Sequence, residues 1–489
     1  MSGKTIIVGA GYTGLAAASI LASKGREVTL IEKNDGPGGR GHGWNTKGFM
    51  FDMGPSWYLM PEVFESFFSK LGRRRQDYYG LSKLPTYYQV FFGDGTKVQV
   101  TDDLEHTRQV FESLEKGGAA KLERYLAAAK YKYDTAIGEF LYRDYSSVFD
   151  FFNKKLVVEG LKLDVFTSLD TFVRREFQDI RARQLLEYAM VFLGSSPSNA
   201  PALYSLMSHV DLDLGVWFPT GGMVSIALGM EKLAREFGVQ IEYNTPATNI
   251  VTANGKVVGV ETARGRLKAD DVLVTSDYAH AELDLLEDKD RTYNRRYWKN
   301  ATVAPGMLLA FLGTRKKIAG LEHHNLYFSS DWNAHFDTIF KKPSWPKDPC
   351  FYASVTSKTE KAVAPAGGEN IFLLVPVAPG LDDTDEARES LFDVAAGKLE
   401  SLIGTSIRDD LAVKRLFSHR DFKSEYNAWQ GTALGLSHTL SQTAVFRPGR
   451  RSKKVDGLWY AGQYTHPGVG VPMTLIAAEL AAGAMLRGG

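Results

Sequence analysis

Gly9, Gly11 and Gly14 stand at the spacing G-x-G-x-x-G, and Glu32 follows about 20 residues on. This is chemistry suited to a dinucleotide. Gly9 permits a tight turn, Gly11 lets a pyrophosphate approach the backbone, and Gly14 lets a helix pack closely on a strand. Tyr12 and Thr13 lie inside the same turn, and Glu32 is placed to accept hydrogen bonds from ribose hydroxyls. Lys33 adjoins that acid. A second glycine-rich loop, NDGPGGR from Asn34 to Arg40, then brings Gly39, further backbone N–H groups and the Arg40 guanidinium toward the same pyrophosphate.

The elements that must position these residues are legible around them. Thr5 to Val8 is an apolar, β-branched run, the pattern of a buried parallel strand. Leu15, Ala18 and Ala22 recur at helical spacing, Gly25 stops the helix, and Glu27 to Ile31 forms a second strand. The start of that helix presents unpaired N–H groups and a positive dipole end to phosphates. A glycine turn alone is common, but strand, turn, helix, strand and acid in order make the pattern specific. It does not by itself separate NAD from FAD.

A second glycine-rich segment closes the chain. Leu458 to Ala461 reads as a buried strand, after which Gly462, Gly468 and Gly470 keep the backbone thin. Pro472 suits the first turn of a helix, where its missing N–H is no loss. Val471, Met473 and Thr474 surround that helix start, and Gln463 lies in the loop before it. N–H groups there would stabilise the electron-rich edge of a reduced flavin. Alone, the segment reads equally as a loop that closes a sheet. Together with the N-terminal pattern it reads as a flavin loop.

The chain has 489 residues, too many for one compact core. Hydrophobic content of 44% and charged content of 24% are those of a globular protein. A net charge of +1 excludes nucleic acid as the main partner, since no basic excess offsets phosphates. The single cysteine, Cys350, excludes an internal disulfide and a cysteine-based metal or Fe–S site, and no other metal site is expected. No charged segment followed by an apolar run precedes the first strand, and no uninterrupted apolar stretch reaches about 18 residues. The expected location is cytoplasmic. The oligomeric state is not legible.

The expected fold is α/β: a Rossmann-like dinucleotide-binding domain, FAD-binding by the family resemblance that follows, interleaved with a mixed α+β substrate domain whose helical part that resemblance makes membrane-facing. The FAD-binding domain takes residues 1–85, 216–290 and 416–489, and the substrate domain takes 86–215 and 291–415. Hairpins are expected at Asp94-Gly95 and Asn254-Gly255, and a helix from about Met223 to Phe237. Phe149, Phe151, Phe152, Leu156 and Val157, with Lys154 and Lys155, could form ordinary core or a face lying on a bilayer.

The order of G-x-G-x-x-G, ribose-binding acid and G-G-R loop resembles the superfamily of flavin-containing amine oxidases and desaturases. YAGQYTHPGVGVPMTLIAAE, FDMGPSWYLMPEVF and GVWFPTGGM resemble stretches of its bacterial-type carotenoid (phytoene) desaturases, and the likeness spans essentially the whole chain. Gln463 and Tyr464 depart from the small residues of many members. The resemblance implies FAD as cofactor and desaturation of a carotenoid precursor, phytoene first, by hydride transfer to flavin N5 and proton loss. It implies an apolar polyene drawn from a membrane, peripheral attachment there, and a quinone or oxygen as electron acceptor. A carotene isomerase and a desaturase of a C30 or later carotenoid remain open. So do an amine oxidase and a non-catalytic FAD-containing lipid carrier. The flavin takes the hard step, so no catalytic triad is needed. His466 could relay a proton or be a loop histidine bonded to backbone. Asp52 could shape the site or cap the loop after it.

Overall fold

The computed structural model describes residues 3–143 and 163–488. Residues 149, 151, 152 and 154–157, considered above as a bilayer face, lie outside the described residues. Among the described residues no helix is long and apolar enough to cross a membrane.

The nucleotide-type half is a five-stranded parallel sheet. Its order is Leu458–Tyr460, Asp271–Val274, Lys4–Val8, Glu27–Ile31, Gln240–Glu242. The strands come from distant parts of the chain, which leaves this sheet twice and returns. Both faces are covered, as an all-parallel sheet requires. Ile7, Leu30, Leu273 and Trp459 face the helices Tyr12–Ser23, Val224–Glu236 and Val471–Leu486. The alternate residues Ile6, Val8, Val272, Val274 and Tyr460 face the other way, toward the helix Tyr278–Asp284 and a three-stranded antiparallel meander. The meander's first hairpin turns at Asn254 and Gly255, with φ of 53° and 74°. Positive φ at both central residues is what a type I′ turn requires.

The other half is a seven-stranded sheet ordered Leu411–Phe417, Gly306–Thr314, Glu369–Val377, Phe351–Ser354, His324–Phe328, Thr86–Phe92, Lys97–Thr101. Its pairs are antiparallel except for His324–Phe328 against Thr86–Phe92. The Asp94-Gly95 hairpin joins the last two strands. Along Gly306–Thr314 the side chains alternate. Leu308, Ala310 and Leu312 face the long helix Asp385–Ile403, while Met307, Leu309 and Phe311 face a core shared with the helices Leu104–Leu114 and Gly118–Thr135. That second face carries the wall of the site.

Candidate active site

In open parallel sheets ligands settle beyond the carboxyl ends of the strands, where the strand order reverses. Here the reversal falls between Lys4–Val8 and Asp271–Val274. One continuous cavity of about 980 Å³ opens there, lined by Val8, Ile31 and Thr275 at the strand ends. It runs from the glycine turn, past the C-terminal glycine loop, to the apolar face of the seven-stranded sheet at Leu309 and Leu374.

At the turn, the glycines divide their work. A Cβ on Gly14 would lie 2.0 Å from the Gly9 carbonyl oxygen, so this glycine is needed to seat the helix and does not line the cavity. Gly9 has φ of 112° and a Cβ there would lie 3.1 Å from the Ser276 nitrogen. Gly11 differs: a Cβ on it would meet only the Gly38 carbonyl oxygen, at an ordinary 3.9 Å. The protein itself tolerates a side chain there, so the glycine answers to whatever fills the cavity. Glu32 ties the turn together, accepting from the N–H of Ala10 at 2.8 Å and of Asn34 at 2.9 Å. A carboxylate has about four acceptor sites, so lone pairs remain for ribose hydroxyls. The second loop packs on the first through the Gly38 N–H, which donates to the Ala10 carbonyl at 2.8 Å.

Arg40 is the charged feature of this end. Its guanidinium carbon lies 5.4 Å from the Tyr426 ring centroid, and its buried Nε and Nη2 have no hydrogen-bond partner among the described residues. Leaving such donors unpaired is expensive. A buried guanidinium with idle donors beside two glycine loops and a helix start fits an anionic pyrophosphate. The buried Gln463 Nε2 likewise has no partner among the described residues, so the donor set continues into the C-terminal loop. These features fit FAD.

The C-terminal loop is held by groups that sequence reading did not single out. Arg447 is buried and donates to the carbonyls of Gln463, Tyr464, Gln442 and Leu436. Burial lowers its pKa to about 10, so it stays charged at neutral pH. The Tyr464 hydroxyl donates to Asp277 at 2.5 Å. Burial pushes the Asp277 carboxyl up, against donors from Tyr464 and the N–H groups of His280 and Trp429. Tyr464, which departs from the small residues of related loops, is thus a fastener. Gly470, at φ 131°, precedes the helix Val471–Leu486, with a proline in its first turn.

Of the residues marked in the sequence, Gly9, Gly11, Tyr12, Thr13, Glu32, Lys33, Gly39, Arg40, Gly462, Gln463, His466, Gly470, Val471 and Met473 line the one cavity. Several have structural partners. The Tyr12 hydroxyl donates to the Met223 carbonyl at 3.1 Å. Lys33 Nζ donates to the Ser424 carbonyl and Asn427 Oδ1, which anchors the strand end to the helix His419–Tyr426. Asp52 does not line the cavity. It accepts from the Val224 N–H at 3.0 Å and so fastens the start of the helix Val224–Glu236, not the loop after it. Burial raises its pKa to about 6. Asp52 thus has a structural partner of its own. His466 does line the cavity, with Nε2 3.1 Å from the Leu141 carbonyl. Burial, reinforced by Arg450, lowers its pKa to about 4, so the ring is neutral at pH 7.

The far end is apolar. Trp57, Tyr188, Phe192, Leu193, Met207 and Leu309 line it. Trp57 stacks on His324 at 4.4 Å between centroids, and the His324 Nδ1 lies 2.6 Å from the Tyr352 hydroxyl. A Cβ on Gly54 would lie 2.6 Å from the Arg40 carbonyl oxygen, so the loop carrying Trp57 is pressed against the phosphate-type loop. That close contact joins the two ends. The signal for Trp57 was its place in GPSWYL. Asp277 was readable as the acid before a helix start, and Arg447 had no local signal.

A dinucleotide-type turn, a second glycine-rich loop at a helix start and an apolar cavity between them define a flavin oxidoreductase. Residues 12–486 match the family described as flavin containing amine oxidoreductase. The chain is 42% identical over 490 residues to a carotenoid 3,4-desaturase of Haloarcula japonica, covering 100% of this chain and 99% of that one. It is 34% identical to a zeta-carotene-forming phytoene desaturase of Myxococcus xanthus, covering 98% and 92%. An oxidoreductase structure from Methanosarcina mazei shares the fold, with a TM-score of 0.63, 15% identity and coverage of 99% and 100%. The chain belongs to the flavin containing amine oxidoreductase family, in its carotenoid desaturase branch.

Proposed function

We propose that this protein is an FAD-dependent carotenoid desaturase. The observation that carries the reading is the single cavity, with polar cradle and apolar channel joined at the Arg40–Gly54 contact. A bound FAD supplies the two-electron acceptor for C–H cleavage. Glu32 takes ribose hydroxyls, and Arg40 and the backbone around Gly11 take the pyrophosphate. Gln463 and the start of the helix Val471–Leu486 would supply donors to the ring system. Trp57, Phe192, Leu193 and Leu309 hold a polyene and exclude water. An amine oxidase would need the cavity to receive a cation, and Asp211 is a single acid in a far wall otherwise lined by hydrocarbon and aromatic side chains.

Sequence reading put phytoene first. The higher identity to the 3,4-desaturase favours desaturation at the 3,4 position of a carotenoid. The test is a panel of phytoene, shorter C30 polyenes and later carotenoids in lipid vesicles, with a quinone or oxygen as acceptor. A product two hydrogens lighter supports desaturation and names the substrate. A product of unchanged mass and altered geometry indicates an isomerase, and no product from any polyene contradicts both.

Peripheral membrane attachment belongs to the same reading. Phe166 and Phe446 line the cavity although 78% and 54% exposed. Sinking both into a bilayer contributes about 3–5 kcal/mol, enough for reversible attachment only. Phe166→Ser with Phe446→Ser is expected to weaken vesicle co-sedimentation while detergent-solubilised polyene is still converted.

A further inference from the structure

Beyond the far wall lies a second, smaller cavity of about 40 Å³, on the same face of the seven-stranded sheet. Leu309 pairs with Leu374, Leu374 with Tyr352 and Tyr352 with Leu326, so these residues stand in one row across neighbouring strands. Leu309 lines the main cavity, Tyr352 and Leu326 line the small one, and Leu374 lines both. From Leu374 to Leu326 the row crosses two strand spacings, about 10 Å. The small cavity therefore continues the track of the main one. Its far side is the helix Trp332–Phe340, whose Trp332, Phe336 and Ile339 recur at helical spacing and turn one face inward.

The polar groups around this cavity are already paired within the protein. The Tyr352 hydroxyl lies 2.6 Å from the His324 Nδ1. The His335 Nδ1 accepts from the Cys350 N–H at 2.9 Å, and its Nε2–H donates to the Pro376 carbonyl at 2.8 Å. The Cys350 thiol donates to the Ser329 hydroxyl at 3.6 Å. What these residues still offer the cavity is carbon. Such a lining receives an apolar chain and gives a polar one no compensation for lost water.

Tyr188, Phe192 and Leu374 line both cavities and so divide them. Two of these dividers are fixed. The Tyr188 hydroxyl donates to Asp211 at 2.7 Å, and Leu374 is held in its strand between Leu309 and Tyr352. Phe192 ends the short helix Ala189–Phe192 and is half-buried. Its ring meets Trp57 and Tyr188 at 6.2 Å and Tyr352 at 6.0 Å between centroids. It has neither a polar tether nor a place in a strand.

We infer that Phe192 is the stop that sets how long a polyene the site accepts, and that the cavity behind it is the space withheld from longer chains. The inference rests on the proposed function, under which a polyene fills the main cavity. A chain advancing along Leu309 and Leu374 meets the Phe192 ring before it reaches Tyr352 and Leu326. Cutting that ring back joins the two cavities and lets an apolar end pass. A single methylene in a fitted apolar pocket changes discrimination by about 10-fold or more. A whole ring at this place therefore separates chains that differ by isoprene units.

The test offers the FAD-loaded enzyme acyclic C30, C40 and C50 polyenes in vesicles and compares kcat/KM along the series. Phe192→Ala should raise the ratio of C50 to C30 by about tenfold or more, with flavin content unchanged. Phe192→Trp should lower it. Ile339→Phe fills the small cavity from behind without touching the main one, so adding it to Phe192→Ala should return the ratio toward wild type. The amount of each polyene that the protein retains through gel filtration, without turnover, should follow the same order. If Phe192→Ala loses its flavin, Phe192→Leu is read by the same criteria. A wild type that takes C50 as readily as C30, or a ratio that the shortened side chain leaves in place, would overturn the inference while the desaturase reading stands. Retention that follows Phe192 in a protein that converts no polyene would overturn the desaturase reading and leave the stop standing.

Discussion

Around Gly11 and Gly462 the cavity is walled by thin backbone, helix starts and a few charged groups. Around Trp57 and Leu193 it is walled by large side chains from the loop after Asp52, the helices near residue 190 and the seven-stranded sheet. The first end is built from short contiguous motifs whose glycines keep the backbone thin around the cavity. The second has a short motif only at Trp57, in GPSWYL, and its other walls meet only after folding. The contrast separates the end that would hold a flavin from the end that would meet a substrate. Changes at the first end should abolish flavin binding, and changes at the second should alter products while flavin stays bound.

The largest effect expected is from Gly14→Val. Its Cβ alone would lie 2.0 Å from the Gly9 carbonyl oxygen, in rigid backbone. The purified variant should carry no flavin, read from its visible absorbance relative to protein. Arg447→Met follows. It leaves the carbonyls of Gln463, Tyr464, Gln442 and Leu436 unpaired, and should lower stability by about 3 kcal/mol in urea unfolding. A flavin content that survives either change would blur the division between the ends.

Leu193→Trp probes the other end. It should reduce polyene conversion by about tenfold through overfilling a packed wall, and flavin content should be unaltered. Shorter polyenes should suffer less than longer ones in a competition assay. Loss of flavin in this variant would show that the two ends are not separable.

The mildest effect is that of acid, which acts on both halves. Burial lowers the pKa of His323 to about 3, of His335 to about 4 and of His466 to about 4. In the unfolded chain these groups take up protons near pH 6.5. Their stabilising contribution is therefore full above about pH 6.5 and is lost as pH falls toward 4. His323 and His335 pack at the seven-stranded sheet and His466 in the flavin loop. Buried carboxyls such as Asp52 and Glu187 act the other way over this span, so the effect is read by comparison: the melting midpoint of His335→Gln should fall less than that of the wild type between pH 7.5 and pH 5.

The contrast also explains what was legible. Strand, glycine turn, helix and acid are contiguous, so the first end could be read from Thr5 to Arg40. The Asn254-Gly255 and Asp94-Gly95 hairpins are equally local. The partner of Asp52, the Val224 N–H, was not legible because it lies 172 residues away. Nothing around Arg447 in VFRPG announces that it gathers carbonyls from two loops. Gln463 and Tyr464, read as a departure from related loops, became intelligible once Tyr464 was seen to bond Asp277.

The central claim is that one cavity brings a polyene to a bound flavin. It is tested most directly by mixing the FAD-loaded protein anaerobically with polyene-loaded vesicles, no quinone present, and following the spectrum through a single turnover. The account predicts that flavin absorbance bleaches as a longer conjugated chromophore appears, one new double bond per flavin. A flavin that stays oxidised beside every polyene, phytoene and later carotenoids alike, would contradict it.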